Sequence, residues 1–353
     1  MNKIFDKTEI DDDLNIRPST LSEYIGQEKL KDSLDIYIKA AKIRGEVLDH
    51  ILFYGPPGLG KTTLSMIIAN EMGGKIKMTS GPAIEKSKDL IASISTLEEG
   101  DILFIDEIHR VPKHIEELLY SAMEDFYIDI TIGSENKTRV IRINIPPFTL
   151  VGATTKVGDL TGPLRDRFGI VAKLEYYTNY ELREIIKRTS KVLNFDITED
   201  AALKLAKSSR GTPRIANRLY KRVRDYAMVN KNYIIDMDIT NSSLKKLNVD
   251  KNGLDSIDVK LLKTIKKLGP VGLKSLAASI GEEESTIEDV YEPFLLQSGY
   301  IKRTSRGRVV TDKAIKYLEE VLIKKIYDII HVLIGRIFLW KLMILILNYQ
   351  KDK

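Results

Sequence analysis

The sequence predicts an α/β protein with a parallel-sheet domain, a smaller helical domain and a C-terminal winged helix. Short apolar runs at 50–55, 101–107 and 148–155 alternate with helical stretches, which is typical of a parallel sheet with helices on both faces. After these runs the patterns become helical. Beyond a polar stretch at 248–256, three short helical segments precede two extended pieces around a Ser-Arg-Gly turn, which is the element order of a winged helix.

Helix-capping signals and chain length indicate the domain boundaries. Thr178 and Glu181 form a possible capping box, and Thr198 precedes a second helical stretch, as expected at helix N-termini. The chain has 353 residues, and a prior of about 150 residues per domain predicts two or three domains. We expect four segments, namely a sheet domain at 1–176, a helical domain at 177–249, a winged helix at 250–322 and an apolar tail at 323–353.

The composition excludes several classes of protein. There are 55 Lys and Arg and 50 Asp and Glu, which gives a net charge of +5. This value does not identify a binding partner, because a nearly neutral protein can still have a strongly charged face. The absence of Cys excludes disulfides, thiol catalysis and Cys-ligated metal sites. The four His argue against a metal site built of histidines alone. The start of the chain soon turns acidic and does not resemble a signal peptide, so we expect a cytoplasmic protein.

The tail at 323–353 is very apolar and contains the only Trp. A membrane-spanning helix needs about 20 largely uncharged apolar residues, and Asp328, His331, Arg336 and Lys341 interrupt this run. Three interpretations stay open: an amphipathic helix for a partner, a weak membrane contact, or translated sequence that was never selected for folding. We favour the last two.

The first chemical motif is the segment GPPGLGKTT at 55–63, which follows a predicted strand and continues into a helical stretch. The pattern GxxxxGK[ST] in this context predicts a P-loop, whose backbone N–H groups surround the phosphates of a nucleotide. Lys61 would reach the terminal phosphates, and the Thr62 hydroxyl would ligate Mg²⁺. The N-terminus of the following helix adds its dipole.

Two further groups of polar residues follow predicted strands. Asp106 and Glu107 end the run ILFIDE, where Asp106 would hold Mg²⁺ through water and Glu107 would act as general base toward the attacking water. Thr154 and Thr155 end the strand before them in GATT, and Thr155 could sense the γ-phosphate. Together with the P-loop, these residues predict an ATPase. The segment GPLRDRFG at 162–169 offers arginines that a neighbouring subunit's site would need.

In this order, the P-loop, IDEIH, GATT and LRDRFG segments resemble those of AAA+ ATPases. The strings RPSTLSEYIGQ, EELLYSAMED, RGTPRIANRL and RTSRGR narrow the resemblance to the RuvB family of Holliday-junction branch-migration motors, over about residues 15–320. The resemblance implies a large ATPase domain, a helical lid and a winged helix. It also implies ATP and Mg²⁺ as cofactors, a homo-hexamer that pulls double-stranded DNA from four-way junctions, a RuvA-like partner and a RuvC-like resolvase.

Carried over position by position, the resemblance assigns residues that contact the nucleotide. Ile16 and Arg17 would contact the adenine and the ribose. The phosphates would be contacted by Gly58, Lys61, Thr62 and Thr63, and the stretch beside the nucleotide consists of Glu124, Asp125 and Phe126. Arg167 matches the arginine finger that acts in trans, and Tyr177 lies where the lid meets the base. Arg214 matches the second sensor, which would couple phosphate loss to rotation of the lid.

The segment 127–145 reads as a β-hairpin in which isoleucines alternate along both strands. These are Ile128, Ile130 and Ile132 on the first strand and Ile141, Ile143 and Ile145 on the second. By pattern alone they could pack on the parent domain or form an exposed docking surface. The resemblance favours docking, because this hairpin is where the family contacts its RuvA partner.

The winged helix carries opposite charges on its recognition-helix candidate and its ribbon. The helix candidate is acidic, and its carboxylates are Glu282, Glu283, Glu284, Glu288, Asp289 and Glu292. Phosphates would repel this helix, so we reject reading of the major groove. Basic residues lie on the ribbon, at Lys302, Arg303, Arg306 and Arg308, and such a wing can bind phosphates without reading bases. The resemblance places DNA contacts at Arg303 and Arg308, and a third, commonly Arg, at Glu284.

Two other classes of ATPase are alternatives to a branch-migration motor, namely a clamp loader and a replication initiator. A clamp-loader ATPase would not need a basic wing. A replication initiator would bind a specific DNA sequence, and the acidic helix argues against such binding.

The segment 204–224 is also basic, and we interpret most of its charges as solvent-exposed or as part of a subunit interface.

Overall fold

The computed structural model describes residues 16–132 and 139–323. Almost all of the predicted tail and the tip of the predicted hairpin lie outside these residues. The chain forms two compact units, one ending at Gly253 and the other beginning at Leu254. In the described part of the chain, no helix is both long enough and apolar enough to cross a membrane.

A five-stranded parallel sheet forms the centre of the first unit. Its strands are β1 Ile51–Tyr54, β2 Ile76–Ser80, β3 Ile102–Asp106, β6 Thr149–Thr154 and β7 Ile170–Lys173, and they lie side by side in the order β2-β3-β6-β1-β7. The three apolar runs of the sequence are confirmed as the adjacent strands β3, β6 and β1. These strands are buried on both faces, which explains why they are continuously apolar rather than alternating.

Helices cover both faces of this sheet. They are α1 Glu28–Arg44, α2 Lys61–Met72, α3 Ser87–Ile94, α4 Lys113–Glu124 and the short α5 Gly162–Arg165. Successive residues of a strand point to opposite faces, so Phe53 packs in a cluster with Ile67 of α2, whereas Leu52 packs in another with Ile115 of α4. The predicted three-layer arrangement is confirmed.

The predicted hairpin is formed by β4 Tyr127–Ile132 and β5 Arg139–Asn144, with Ile128 opposite Ile143 and Ile130 opposite Ile141. Its base packs on the parent domain, since Ile128 and Ile145 are buried in the same cluster as α4. Further out, Val140 and Ile141 are exposed. The base of the hairpin therefore packs on the parent domain, and docking of a partner on its exposed part stays a prediction. The side chain of Ile132 lies outside the described residues.

The remainder of the first unit is helical, as predicted. Its helices are α6 Asn179–Val192, α7 Glu199–Lys207, α8 Pro213–Val229 and α9 Met237–Lys246. The capping box is confirmed, with Thr178 and Glu181 each bonding the other's backbone, and Thr198 caps α7. The sequence analysis missed a two-residue parallel pair, β8 Asp196–Ile197 with β9 Ile234–Ile235.

The second unit has the predicted order of a winged helix. Its elements are α10 Ser256–Leu268, α11 Leu273–Ile280, α12 Glu284–Thr286, a π-helical turn Ile287–Tyr291, α13 Glu292–Gln297, β10 Ile301–Thr304 and β11 Gly307–Val310. Residues 312–323 are helical. The third predicted helix differs from a regular α-helix by its π turn, which ends at Tyr291, two residues before Pro293. A proline has no N–H to donate, so the regular ladder is interrupted there.

Candidate active site

The P-loop joins the end of β1 to the start of α2. Gly60 precedes Lys61 with φ 104°, a conformation that favours glycine. A Cβ atom at Gly60 would lie 2.5 Å from the hydroxyl oxygen of Tyr24. Glycine is therefore required here both by the backbone conformation and by the close approach of a buried tyrosine.

Lys61 is buried at the start of α2, with 7% of its surface exposed. Its ammonium group donates hydrogen bonds to the carbonyl oxygens of Gly55, at 2.8 Å, and Pro56, at 3.0 Å. Burial lowers the pKa of Lys61, an effect that Glu107 and Asp106 oppose by favouring the charged form. The Lys61 ammonium is therefore held against the backbone of the loop itself.

Asp106 and Glu107 lie at the carboxyl end of β3, beside the end of β6. The Oδ1 atom of Asp106 accepts a hydrogen bond from the N–H of Glu107 at 3.0 Å. Glu107 has a φ of 47°, a left-handed conformation that costs a residue other than glycine about 1–3 kcal/mol.

The carboxylate of Glu107 is held by the next strand. Thr155 donates to its Oε2 atom from the hydroxyl, at 3.2 Å, and from the backbone N–H, at 3.4 Å. The Nδ1 atom of His109 lies 3.2 Å from the same oxygen and 2.9 Å from the hydroxyl of Thr154. The predicted sensor thus contacts the predicted base. His109 was missed by the sequence analysis, although the motif IDEIH contains it.

A cleft of about 540 Å³ runs from the P-loop along α8. Nine predicted site residues line it: Ile16, Arg17, Gly58, Lys61, Thr62, Thr63, Asp106, Glu107 and Arg214. Four basic residues of α8 also line it, and these are Arg218, Lys221, Arg222 and Arg224. Arg218 and Arg222 are exposed, and the place of these residues at a subunit interface stays a prediction. Cations outnumber carboxylates in the cleft, which suits a polyphosphate.

Two contacts join the P-loop to the helical part of the unit. The backbone N–H of Arg214, in the first turn of α8, donates to the carbonyl of Gly58 at 3.4 Å. Tyr177 lies beneath the loop, where its hydroxyl donates to the carbonyl of Leu59 at 3.1 Å and lies 2.7 Å from the hydroxyl of Tyr24. Burial raises the pKa of Tyr177 to about 12. Tyr177 therefore supports the loop from below.

Six residues predicted at the nucleotide site do not line this cleft. Two of them, Thr155 and Tyr177, contact residues of the site, Glu107 and Leu59. The other four are Glu124, Asp125, Phe126 and Arg167. They lie near one another at the end of α4 and just after α5. Arg167 donates from Nη2 to Oε2 of Glu124, at 3.1 Å, and from Nη1 to the carbonyl of Pro163, at 2.7 Å. The structure therefore separates the predicted nucleotide residues into a cleft group and a group around Arg167.

The wing of the second unit is built over a buried carboxylate. Glu292 is 1% exposed and accepts hydrogen bonds from Nε of Arg303, at 2.7 Å, and from Nε and Nη2 of Arg308, both at 2.9 Å. Burial alone would raise the pKa of Glu292, but these hydrogen bonds outweigh it and the pKa is lowered. The side chain of Arg303 stays 52% exposed and that of Arg308 only 13%. Glu292 was expected on the acidic helix face and instead lies under the wing.

Family models cover most of the chain. The P-loop domain of the Holliday junction DNA helicase RuvB matches residues 16–174, the RuvB AAA lid domain matches 177–250, and the RuvB C-terminal winged helix domain matches 251–319. The matches follow one another in the order of the domains described above.

Whole-chain relatives agree with these matches. The Holliday junction branch migration complex subunit RuvB of Phytoplasma mali is 58% identical over 313 residues, covering 88% of this chain and 94% of the relative. Its counterpart in Acholeplasma laidlawii is 57% identical over 321 residues, covering 90% and 95%. The solved RuvB branch migration motor of Thermotoga maritima is 53% identical, with a TM-score of 0.79 and coverage of 86% and 98%. The chain therefore belongs to the RuvB family of AAA+ P-loop ATPases.

Proposed function

We propose that this chain is an ATP-driven motor that moves double-stranded DNA and thereby drives branch migration of Holliday junctions in recombination and repair. The observation that carries the proposal is the meeting of the P-loop, Asp106, Glu107 and Thr155 at one edge of a parallel sheet, facing a cationic helix. The relatives named above are branch-migration subunits and support the choice of substrate.

Within the cleft, each residue has a chemical part in hydrolysis. Gly58 and Lys61 bind the phosphates, while the hydroxyl of Thr62 and the carboxylate of Asp106 are the hard oxygen donors that suit Mg²⁺. When bound, the ion neutralises charge on the phosphates. Glu107 accepts a proton from the attacking water, and Thr155 holds the Glu107 carboxylate in position. Thr63 contacts the phosphates, and Ile16 and Arg17 contact the base and ribose.

Arg167 acts on the site of a neighbouring subunit. This proposal is supported by its position, because Arg167 and the adjacent stretch 124–126 lie outside the cleft of their own chain. A cation supplied in trans makes hydrolysis depend on assembly, and a closed ring of six subunits satisfies every site in the same way.

The wing binds DNA through its phosphates. Lys302, Arg303 and Arg306 are exposed on one short ribbon, which suits contacts that are independent of sequence. Arg303 reaches the phosphates directly, and Arg308 contributes mainly by holding Glu292, the carboxylate that also orients Arg303. At Glu284 the family's third contact is absent.

Partners are proposed from the hairpin and from the relatives. The exposed residues Val140 and Ile141 would contact a RuvA-like junction-binding protein, and a RuvC-like resolvase would act on the same junction. ATP and chromosomal DNA are cytoplasmic, so we place this function in the cytoplasm. The apolar tail has no part in the proposal.

Subunit mixing tests the proposal on synthetic four-way junctions with RuvA from a relative. Arg167→Ala and Glu107→Gln should each abolish ATP-dependent junction dissociation and ATP turnover. A mixture should recover part of both, because an Arg167→Ala subunit then receives Arg167 from its Glu107→Gln neighbour. If the mixture stays inactive while both variants bind ATP and assemble, the shared site is refuted. If turnover recovers and junctions never dissociate, the motor function is refuted.

A further inference from the structure

Helix α4 presents three polar side chains on the face that meets Arg167. Glu116, Tyr120 and Glu124 are spaced four residues apart, so they lie along one side of the helix. Glu124 forms the ion pair with Arg167 at the helix end. One turn earlier, the guanidinium carbon of Arg167 lies 4.4 Å from the centre of the Tyr120 ring. Arg167 is thus held from two directions, by a carboxylate and by an aromatic face.

The Tyr120 ring is itself fixed by a hydrogen-bonded chain that ends in a buried carboxylate. The hydroxyl of Tyr120 lies 3.0 Å from the hydroxyl of Thr161, and Thr161 donates to Oε2 of Glu116 at 2.6 Å. Glu116 is only 2% exposed. Thr161 is also the N-cap of α5, the turn that leads into Arg167. The same network therefore orients the ring and anchors the turn that carries the arginine.

We propose that Tyr120 is a positioning residue for Arg167 and orients its guanidinium toward the site of the neighbouring subunit. The inference rests on the proposed role of Arg167 in trans. A cation over an aromatic face keeps most of its hydrogen-bond donors free, since the ring contacts the plane of the guanidinium and not its edges. The ring can therefore restrict the side chain without using its N–H groups. Two of these groups donate here to Glu124 and Pro163, and they would have to exchange these partners for a phosphate of the neighbouring site.

The position of Tyr120 predicts which subunit a substitution will affect. Tyr120, Thr161 and Glu116 do not line the cleft of their own chain. A defect at Tyr120 should therefore appear in the turnover of the neighbouring subunit's site. A cation–π contact at a partly exposed position corresponds to roughly 3- to 30-fold in rate. The loss should fall on kcat, because Arg167 acts on the transition state.

The experiment measures DNA-stimulated ATP turnover of full-length Tyr120→Leu and Tyr120→Phe. Leu keeps apolar contact with the core against which Tyr120 packs and removes the ring, so kcat should fall roughly 3- to 30-fold with little change in KM. Phe keeps the ring but lacks the hydroxyl that bonds Thr161, so its loss of kcat should be smaller than that of Leu. If Leu prevents folding, Tyr120→Met fills the same space without a ring. Unchanged kcat without the ring, or an equal loss in Phe, overturns the proposal.

Mixing separates positioning from damage within the same subunit. With Glu107→Gln in excess, most Tyr120→Leu subunits receive Arg167 from a neighbour that has an intact Tyr120, and turnover per active site should return to the wild-type value. Turnover that stays low overturns the proposal. The matched control is Tyr180→Leu, since Tyr180 also carries an arginine, Arg183, at 4.4 Å from its ring, and its kcat should not change.

The same assay distinguishes this inference from the function on which it rests. If Arg167→Ala is not rescued by Glu107→Gln, the shared site itself is wrong. If Arg167→Ala is rescued and Tyr120→Leu turns over like wild type, only the positioning role of Tyr120 is wrong.

Discussion

Replacing Glu292 by Gln should destabilise the winged helix, because it removes the negative charge on which the wing is built. Glu292 is 1% exposed and its carboxylate accepts three hydrogen bonds from Arg303 and Arg308. Removing one partner of a buried ion pair costs about 3–5 kcal/mol. Arg303 is half exposed and can turn to water, so the cost falls mainly on Arg308, whose side chain is 13% exposed. We expect a loss of about 3 kcal/mol in the free energy of unfolding.

The same ion pair predicts how stability depends on pH. The pKa of Glu292 in the folded protein lies below its ordinary value of 4.5, so unfolding at low pH takes up a proton. The contribution is complete above pH 4.5 and is lost as the pH falls through the folded-state pKa. The Glu292→Gln variant lacks this contribution, so its difference from wild type should be largest above pH 4.5 and should shrink in acid.

Hydrogen exchange of the backbone amides of β10 and β11 in the full-length chain measures this local stability. The matched control is Glu288→Gln, because Glu288 lies 3.7 Å from Arg303 on the same helical segment and is 36% exposed, and its loss should cost at most about 1 kcal/mol. A Glu292→Leu, Arg308→Met double variant should recover most of the stability. If the opening free energy of these amides in Glu292→Gln is within about 0.5 kcal/mol of the wild-type value, the carboxylate does not stabilise the wing.

Two further predictions concern the cleft. Gly60→Ala should weaken binding of a fluorescent ATP analogue by roughly tenfold or more, because the left-handed backbone is strained for alanine and the new Cβ would meet Tyr24 at 2.5 Å; unchanged affinity would contradict the described loop. Thr155→Val keeps the shape of the side chain but removes its hydrogen bond to Glu107. Its kcat should fall roughly tenfold or more while ATP affinity is kept, and a loss of affinity instead would show that Thr155 acts on binding.

The sequence predicts the centre of the fold better than its edges, for a physical reason. Strands β3, β6 and β1 are continuously apolar because both faces are buried, and such runs are easy to recognise. The edge strand β2 is only half buried along its length, and the pair β8 and β9 has two residues in each strand. Neither leaves a periodic pattern long enough to detect.

The candidate residues divide in the same way. Asp106, Glu107 and Thr155 could be grouped in advance because the carboxyl ends of parallel strands meet at one edge of a sheet. The link between Glu292 and Arg308 spans sixteen residues of sequence and depends on burial, whereas a glutamate in a charged run is normally exposed. His109 and Tyr120 could not be assigned from the sequence either, since their interpretation depends on their contacts in the fold, with Glu107 for His109 and with Arg167 for Tyr120.

The described contacts also indicate how the lid could follow the nucleotide under the proposed function. The lid touches the P-loop at two points, since Tyr177 bonds Leu59 from below and the N–H of Arg214 bonds Gly58 from the side. Both points lie within the backbone that would wrap the phosphates. Helix α8 has 17 residues and extends about 26 Å from this contact, so a small rotation at the loop becomes a larger displacement at its far end. Under the proposed function, the loop that would wrap the phosphates is thus the loop to which the lid is bonded, so loss of a phosphate would be expected to move the lid.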